Sequence, residues 1–136
     1  MSADKLHPAD RLHSMVGPEI RVEANAGVCG LVSLIEARSP DGMQVMVSIE
    51  SDCPRVQALA ADWSAQQGGA TLDAFQEVLR KPLVETTPAR LAAEHGLHPT
   101  CLVPIAVLKA AEAAAGLALP CDCSVKLTRL DDESES

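Results

Sequence analysis

LVSLIEAR (31–38), SPDG (39–42) and MQVMVSIES (43–51) follow one another directly, and their reading decides the fold. Val45, Val47 and Ile49 alternate with Gln44, Met46, Ser48 and Glu50, the period of two that marks a strand with one face buried. Between the two arms, Pro40 and Asp41-Gly42 occupy turn positions, because Pro presets a turn dihedral and Gly accepts a left-handed one. The stretch predicts an antiparallel β-hairpin with arms Leu31 to Arg38 and Met43 to Ser51. A turn centred on Pro40 and Asp41 puts Cys29 opposite residue 52, and hence Cys29 beside Cys53.

Downstream the period changes to that of helices. Pro54 sits where a first helical residue needs no N–H, and Val56, Leu59, Ala60 and Trp63 follow on one face until Gln66-Gln67-Gly68-Gly69 stops the helix. Thr71 is placed to cap a second helix with Leu72, Phe75, Val78 and Leu79 on its face, ended by Lys81-Pro82. Thr87-Pro88 repeats the signal for a short helix to His95, with Gly96 as its left-handed end and His95 as a cation near the helix C-terminus. The last helix, from Val103 or Pro104 to Gly116, is apolar around most of its circumference and so is expected to be buried on several sides. Lys109 and Glu112 interrupt it three residues apart, close enough to pair. Val125 and Leu127, alternating with Lys126 and Thr128, predict a final strand, with Cys121 and Cys123 on its core-facing side. The order β-β-α-α-α-α-β describes an α+β domain in which about four helices pack on one face of a small antiparallel sheet.

The chain of 136 residues has room for one folded domain. The expected division is a flexible start at 1–19, the domain at 20–130 and an acidic tail at 131–136. That tail holds four of the nineteen acidic residues behind the net charge of −8. Phe75 and Trp63 are the only aromatics, 1% of the residues, so stacking platforms for bases are missing, and the negative charge repels phosphate backbones. Nucleic acid is therefore excluded as an expected partner. The Ala110 to Leu119 stretch is about half the ~20 apolar residues of a membrane span, and no export signal is legible near the N-terminus, so a cytoplasmic protein is expected.

Five cysteines in a reducing compartment are expected to be free thiols. Cys53 precedes Pro54 and Cys101 stands three residues before Pro104, both at expected helix N-termini, where the dipole and unpaired N–H groups lower a thiol pKa. Cys29 lies between Gly27 and Gly30, just before the hairpin. His98, three residues before Cys101, adds an imidazole. Cys29, Cys53, Cys101 and His98 together make a Cys₃His set suited to zinc, or three thiolates suited to an iron–sulfur cluster. The competing reading is that these thiols simply fill core, as free cysteine commonly does. Cys121 and Cys123 lean toward packing, although a C-x-C pair can chelate, and His7 and His13 read as inert.

The pattern Cys29-Gly30, Ile49-Glu50-Ser51-Asp52-Cys53-Pro54, His98-Pro99-Thr100-Cys101-Leu102-Val103-Pro104, Leu108-Lys109-Ala110-Ala111-Glu112 and Leu117-Ala118-Leu119-Pro120 resembles a family of small uncharacterised prokaryotic proteins over roughly residues 20 to 130. More distantly it is similar to the TSCPD domain, a cysteine-containing module found alone or attached to some ribonucleotide reductases, although Thr100-Cys101 matches only the middle of that signature. The first resemblance implies no activity; it implies that Cys29, Cys53 and Cys101 belong together and that Cys121 and Cys123 are additions.

Three functions stay open at this point. One is a metal- or iron–sulfur-binding module built on Cys29, Cys53, Cys101 and His98. Another is a thiol-reactive redox protein or enzyme with Cys53 or Cys101 as nucleophile and Lys109 and Glu112 as proton-transfer partners. The third is an interaction domain that associates with itself or an unknown protein through its Ala-rich helix.

Overall fold

In the computed structural model, which describes residues 18–27, 29–65 and 71–131, the hairpin forms as read, with arms Val32–Arg38 (β2) and Gln44–Ser51 (β3). Its loop is organised by Asp41, whose Oδ1 accepts the N–H groups of Met43 at 2.9 Å and Gln44 at 2.8 Å. Buried Ser39 completes it, accepting from the Gly42 N–H at 2.8 Å and donating to the Gln44 carbonyl at 2.7 Å. These bonds fold the chain about Gly42, at φ 81°, so the register pairs Ser33 with Ser51 and Ile35 with Ile49. The turn centre is therefore displaced from Pro40-Asp41, and the expected pairing of Cys29 with residue 52 does not occur.

Cys29 belongs instead to a second turn. Ile20–Asn25 forms an additional strand, β1, antiparallel to β2 with Val22 opposite Ile35. A short β4, Thr71–Asp73, completes a four-stranded antiparallel sheet in the order β1-β2-β3-β4. Thr71 thus begins a strand rather than capping a helix. Ile20, Val22 and Ala24, then Ser33, Ile35 and Ala37, then Val45, Val47 and Ile49 form the buried or half-buried face, while Glu23, Glu36, Ser48 and Glu50 line the exposed one. Arg21 and Glu36, directly opposite across β1 and β2, pair at 2.7 Å on that polar face.

The helices cover the apolar face. Pro54–Ala65 (α1) lies over β3, burying Val56, Leu59 and Trp63, whose indole Nε1 donates to the Val47 carbonyl at 3.2 Å. Phe75–Arg80 (α2) is π-helical, closed by the Lys81 N–H to the Gln76 carbonyl at 2.9 Å. That winding, together with β4 before it, rotates the expected face: Ala74 and Glu77 are buried, whereas Phe75 and Leu79 are exposed. After a 3₁₀ turn at Leu83–Glu85 comes Thr87–Glu94 (α3). Its cap is Thr86 rather than Thr87, with the Thr86 hydroxyl oxygen accepting the Ala89 N–H at 3.3 Å.

Val103–Ala114 (α4) crosses β1 and β2 and buries Ala106, Val107, Ala110, Ala111 and Ala114. Small side chains let this helix approach the sheet closely, which explains how a core nearly free of aromatics closes. The alanine face is covered by the chain's own sheet, so α4 presents only Leu102, Ile105, Lys109 and their neighbours outward.

The expected C-terminal strand is not formed. Residues 119–131 are exposed, and Val125 and Leu127 keep 79% and 91% of their surface in solvent. Cys121 and Cys123 are exposed with them and do not face the core. The alternation alone does not make a strand, because a strand needs a partner edge and this segment pairs with none in the sheet. The architecture is α+β, a four-stranded antiparallel sheet with helices on one face. The first seventeen residues of the expected flexible start, the Gln66-Gly69 helix stop and the acidic tail from 132 lie outside the described residues, as do His7 and His13.

Candidate functional site

Antiparallel pairing puts the β1–β2 turn and the end of β3 at the same end of the sheet, and both turn out to carry cysteine. Cys29 lies in the first, an exposed turn in which Gly27 (φ 91°) and Gly30 (φ 69°) take the left-handed conformation that side chains with a Cβ disfavour. Asn25 Oδ1 accepts the Gly27 N–H at 2.8 Å and holds the start of that turn. Cys53, separated from the end of β3 by one residue, caps α1 through its backbone, its carbonyl accepting the Gln57 N–H at 2.8 Å, with Pro54 in the first helical position as the sequence indicated. Its own N–H is bound by Ser51 Oγ at 3.0 Å, and Ser51 Oγ in turn receives the hydroxyl of buried Ser33 at 2.8 Å.

Cys101 reaches this end through the α3–α4 connection. His95 Nε2 lies 3.0 Å from Asp62 Oδ2, and Arg55 donates to the Gly96 carbonyl at 2.6 Å, so both contacts fasten the connection to α1. A turn then closes with the Cys101 N–H on the His98 carbonyl at 2.9 Å, bringing His98 and Cys101 to its two ends. His98 is exposed, and Cys53 and Cys101 are half-buried against the main core. His95 therefore pairs with Asp62 across two helices as well as standing at the C-terminal end of α3.

The electrostatics of Cys101 differ from the sequence expectation. Burial pushes its thiol up, the Val103 N–H at the start of α4 pulls it down, and the like charges of Cys53 and Cys29 push it up again; the net direction is upward. Desolvation thus outweighs the helix-terminus effect. Cys53 and Cys29 are the smallest contributors to that upward direction. Among the described residues, no three His, Cys, Asp or Glu side chains already stand in an arrangement that would hold a metal ion.

A second polar cluster lies around α2. Glu77 is only 7% exposed, and its carboxylate accepts the Thr87 N–H at 2.7 Å, the Thr87 hydroxyl at 2.6 Å and the Lys81 ammonium at 2.8 Å. It borders an open cleft of about 240 Å³ lined also by Lys81, Leu83, Leu108, Lys109 and Glu112. Lys109 pairs with Glu112 at 3.1 Å as the spacing indicated. Both cations of the cleft thus carry a carboxylate partner, and Glu112 foremost raises the Lys109 pKa, with Cys123 and Cys121 adding to it. A lysine held protonated is a poor general base, so the cleft has little chemistry to offer and the thiol end remains the better candidate.

Gly96 takes the left-handed conformation expected of it at the end of α3, whereas sequence reading missed Arg55 and Ser51 as positioning groups. For Ser33 and Ser51 a signal existed, since both occupy core-parity positions next to the cysteines. For the Arg55 contact with Gly96, 41 residues away, there was none.

A small α+β domain with free thiols, three of them exposed and two half-buried, is the class these features define. The family model described as "Family of unknown function (DUF6951)" matches residues 20–127, and the chain belongs to that family. No curated protein and no solved structure shows significant similarity to it. No helix among the described residues is long and apolar enough to cross a membrane.

Proposed function

We propose that the protein is a cytoplasmic metal-binding module, taking zinc or an iron–sulfur cluster through Cys29, Cys53 and Cys101, with His98 as fourth ligand. The observation that carries the reading is topological: the β1–β2 turn with Cys29 and the end of β3 before Cys53 lie at the same end of the sheet, and the Arg55 bond to Gly96 ties the loop leading to Cys101 to the helix that follows Cys53. Three like groups that repel as thiolates gain from a cation between them, and thiolate with imidazole is a donor set that zinc favours. Cys29 lies in a glycine-flanked turn, and adjustment of that turn completes the set. Because burial raises the Cys101 pKa, metal binding at this thiol releases a proton and weakens as the solution is acidified.

The competing thiol-enzyme reading is less favoured at Cys101, since a raised pKa leaves less thiolate for attack. Anaerobic purification followed by elemental analysis and absorption spectroscopy, with and without reconstitution by zinc or by iron and sulfide, tests the proposal. Stoichiometric metal is expected in the native chain and in the Cys121→Ser and Cys123→Ser variants, and its loss in Cys29→Ser, Cys53→Ser and Cys101→Ser. A folded native chain that stays metal-free after both reconstitutions overturns it.

A further inference from the structure

The C-terminal arm, residues 119–128, is apolar on one side and yet exposed along its whole length: Leu119 keeps 81%, Val125 79% and Leu127 91% of their surface in solvent. Its start is anchored by Leu117, half-buried against the core. From there it carries the period-two pattern of a strand, with Cys121, Cys123, Val125 and Leu127 on one side and Asp122, Ser124, Lys126 and Thr128 on the other. The sheet offers a matching vacancy. β1 is an edge strand, its outer N–H and C=O groups unclaimed by the sheet, and its core-side residues Ile20 and Val22 are only half-buried. Among the described residues nothing pairs with that edge, and open edges are sites for strand addition.

We propose that the arm of one copy adds antiparallel to β1 of a second copy, in a reciprocal two-fold dimer. One register satisfies both faces. With Lys126 opposite Glu23, Leu127 falls beside Val22 and Val125 beside Ala24, extending the buried face. On the exposed face Thr128 then stands beside Arg21, already paired with Glu36, and Ser124 beside Asn25. Opposite charges directly across a ladder favour the pairing, whereas a shift by one residue turns Leu127 to solvent. Reciprocity follows from two-fold symmetry, so each dimer gains two added strands.

Size-exclusion chromatography with light scattering on the full chain reads the mass directly. A dimer of twice 14.3 kDa is expected, with Leu127→Asp and Val125→Asp shifting it to monomer. Both side chains are exposed, so an unchanged circular dichroism spectrum is expected to show that the fold survives. Glu23→Lys and Lys126→Glu each weaken the dimer, and the double exchange restores it. A monomeric native chain, a dimer indifferent to Leu127→Asp, or failure of the double exchange to restore the dimer each overturns the proposal.

Discussion

Arg55, in the first turn of α1, donates from its guanidinium to the carbonyl oxygen of Gly96 at 2.6 Å, joining the helix that follows Cys53 to the loop that leads to Cys101. Gly96 holds φ +68°, and a Cβ there would stand 3.9 Å from the same guanidinium, so space is not the constraint; backbone conformation is. Gly96→Ala is expected to cost about 1–2 kcal/mol through left-handed strain. Arg55→Ala is expected to cost about 0.5–1.5 kcal/mol for the lost hydrogen bond. In both variants Cys101 should label faster with a thiol reagent, which stopped-flow disulfide exchange would measure; unchanged labelling would mean that the loop is held by other contacts.

Cys101 should alkylate with a pH midpoint above the ordinary thiol range, because burial first and then the charges of Cys53 and Cys29 disfavour its thiolate. Replacing Cys53 and Cys29 by Ser is expected to lower that midpoint without bringing it below the ordinary range. Mass-spectrometric footprinting with iodoacetamide across a pH series gives the answer. A midpoint already below the ordinary range would show that the α4 N-terminus outweighs desolvation.

Glu77 links α2 to the start of α3. Burial alone pushes its carboxyl up, but the Lys81 ammonium and the two donors of Thr87 outweigh that and hold it below the ordinary carboxylate value. A depressed folded pKa supplies stability that is complete above the unfolded value, about 4.3, and is lost as pH falls through the folded value. Glu77→Gln is expected to destabilise the chain by about 1–3 kcal/mol at neutral pH, since it weakens bonds to a nearly buried group. In acid the gap between variant and native chain should narrow, as urea titrations at several pH values would show; a gap constant with pH would assign the effect to packing instead.

Trp63 is the single tryptophan and is 2% exposed. Its fluorescence should be blue-shifted in the native state and move to the red on unfolding in one transition. Trp63→Ala is expected to cost about 3–5 kcal/mol by opening a cavity between α1 and β3. Trp63→Phe is expected to cost less, about 1–3 kcal/mol, for a Val47 carbonyl left without its donor. A Trp63→Phe loss near zero in a denaturant series would show that the indole hydrogen bond adds nothing beyond packing.

Local chemistry by itself determined the hairpin, the start of α1 at Pro54, the span of α4 and the pairing of Lys109 with Glu112. In each case the residues responsible are neighbours along the chain, and turn propensity, proline geometry and helical spacing act over a few residues. The register of β2 on β3 was one step less local, because Asp41 and Ser39 shift the turn centre to Gly42 through hydrogen bonds that composition does not reveal. Tertiary structure alone decided the rest. The TLD segment at 71–73 became an edge strand because β3 offered it a partner, while the more strand-like segment around Val125 and Leu127 stayed exposed because no edge within its own chain received it. Cys29, Cys53 and Cys101 were nameable from the sequence, yet where each of them lies depends on sheet topology and on the hold of Arg55 and Asp62 on the loop before α4. So does the sign of the Cys101 shift: the sequence shows a helix N-terminus that lowers a thiol pKa, and only packing shows the burial that outweighs it.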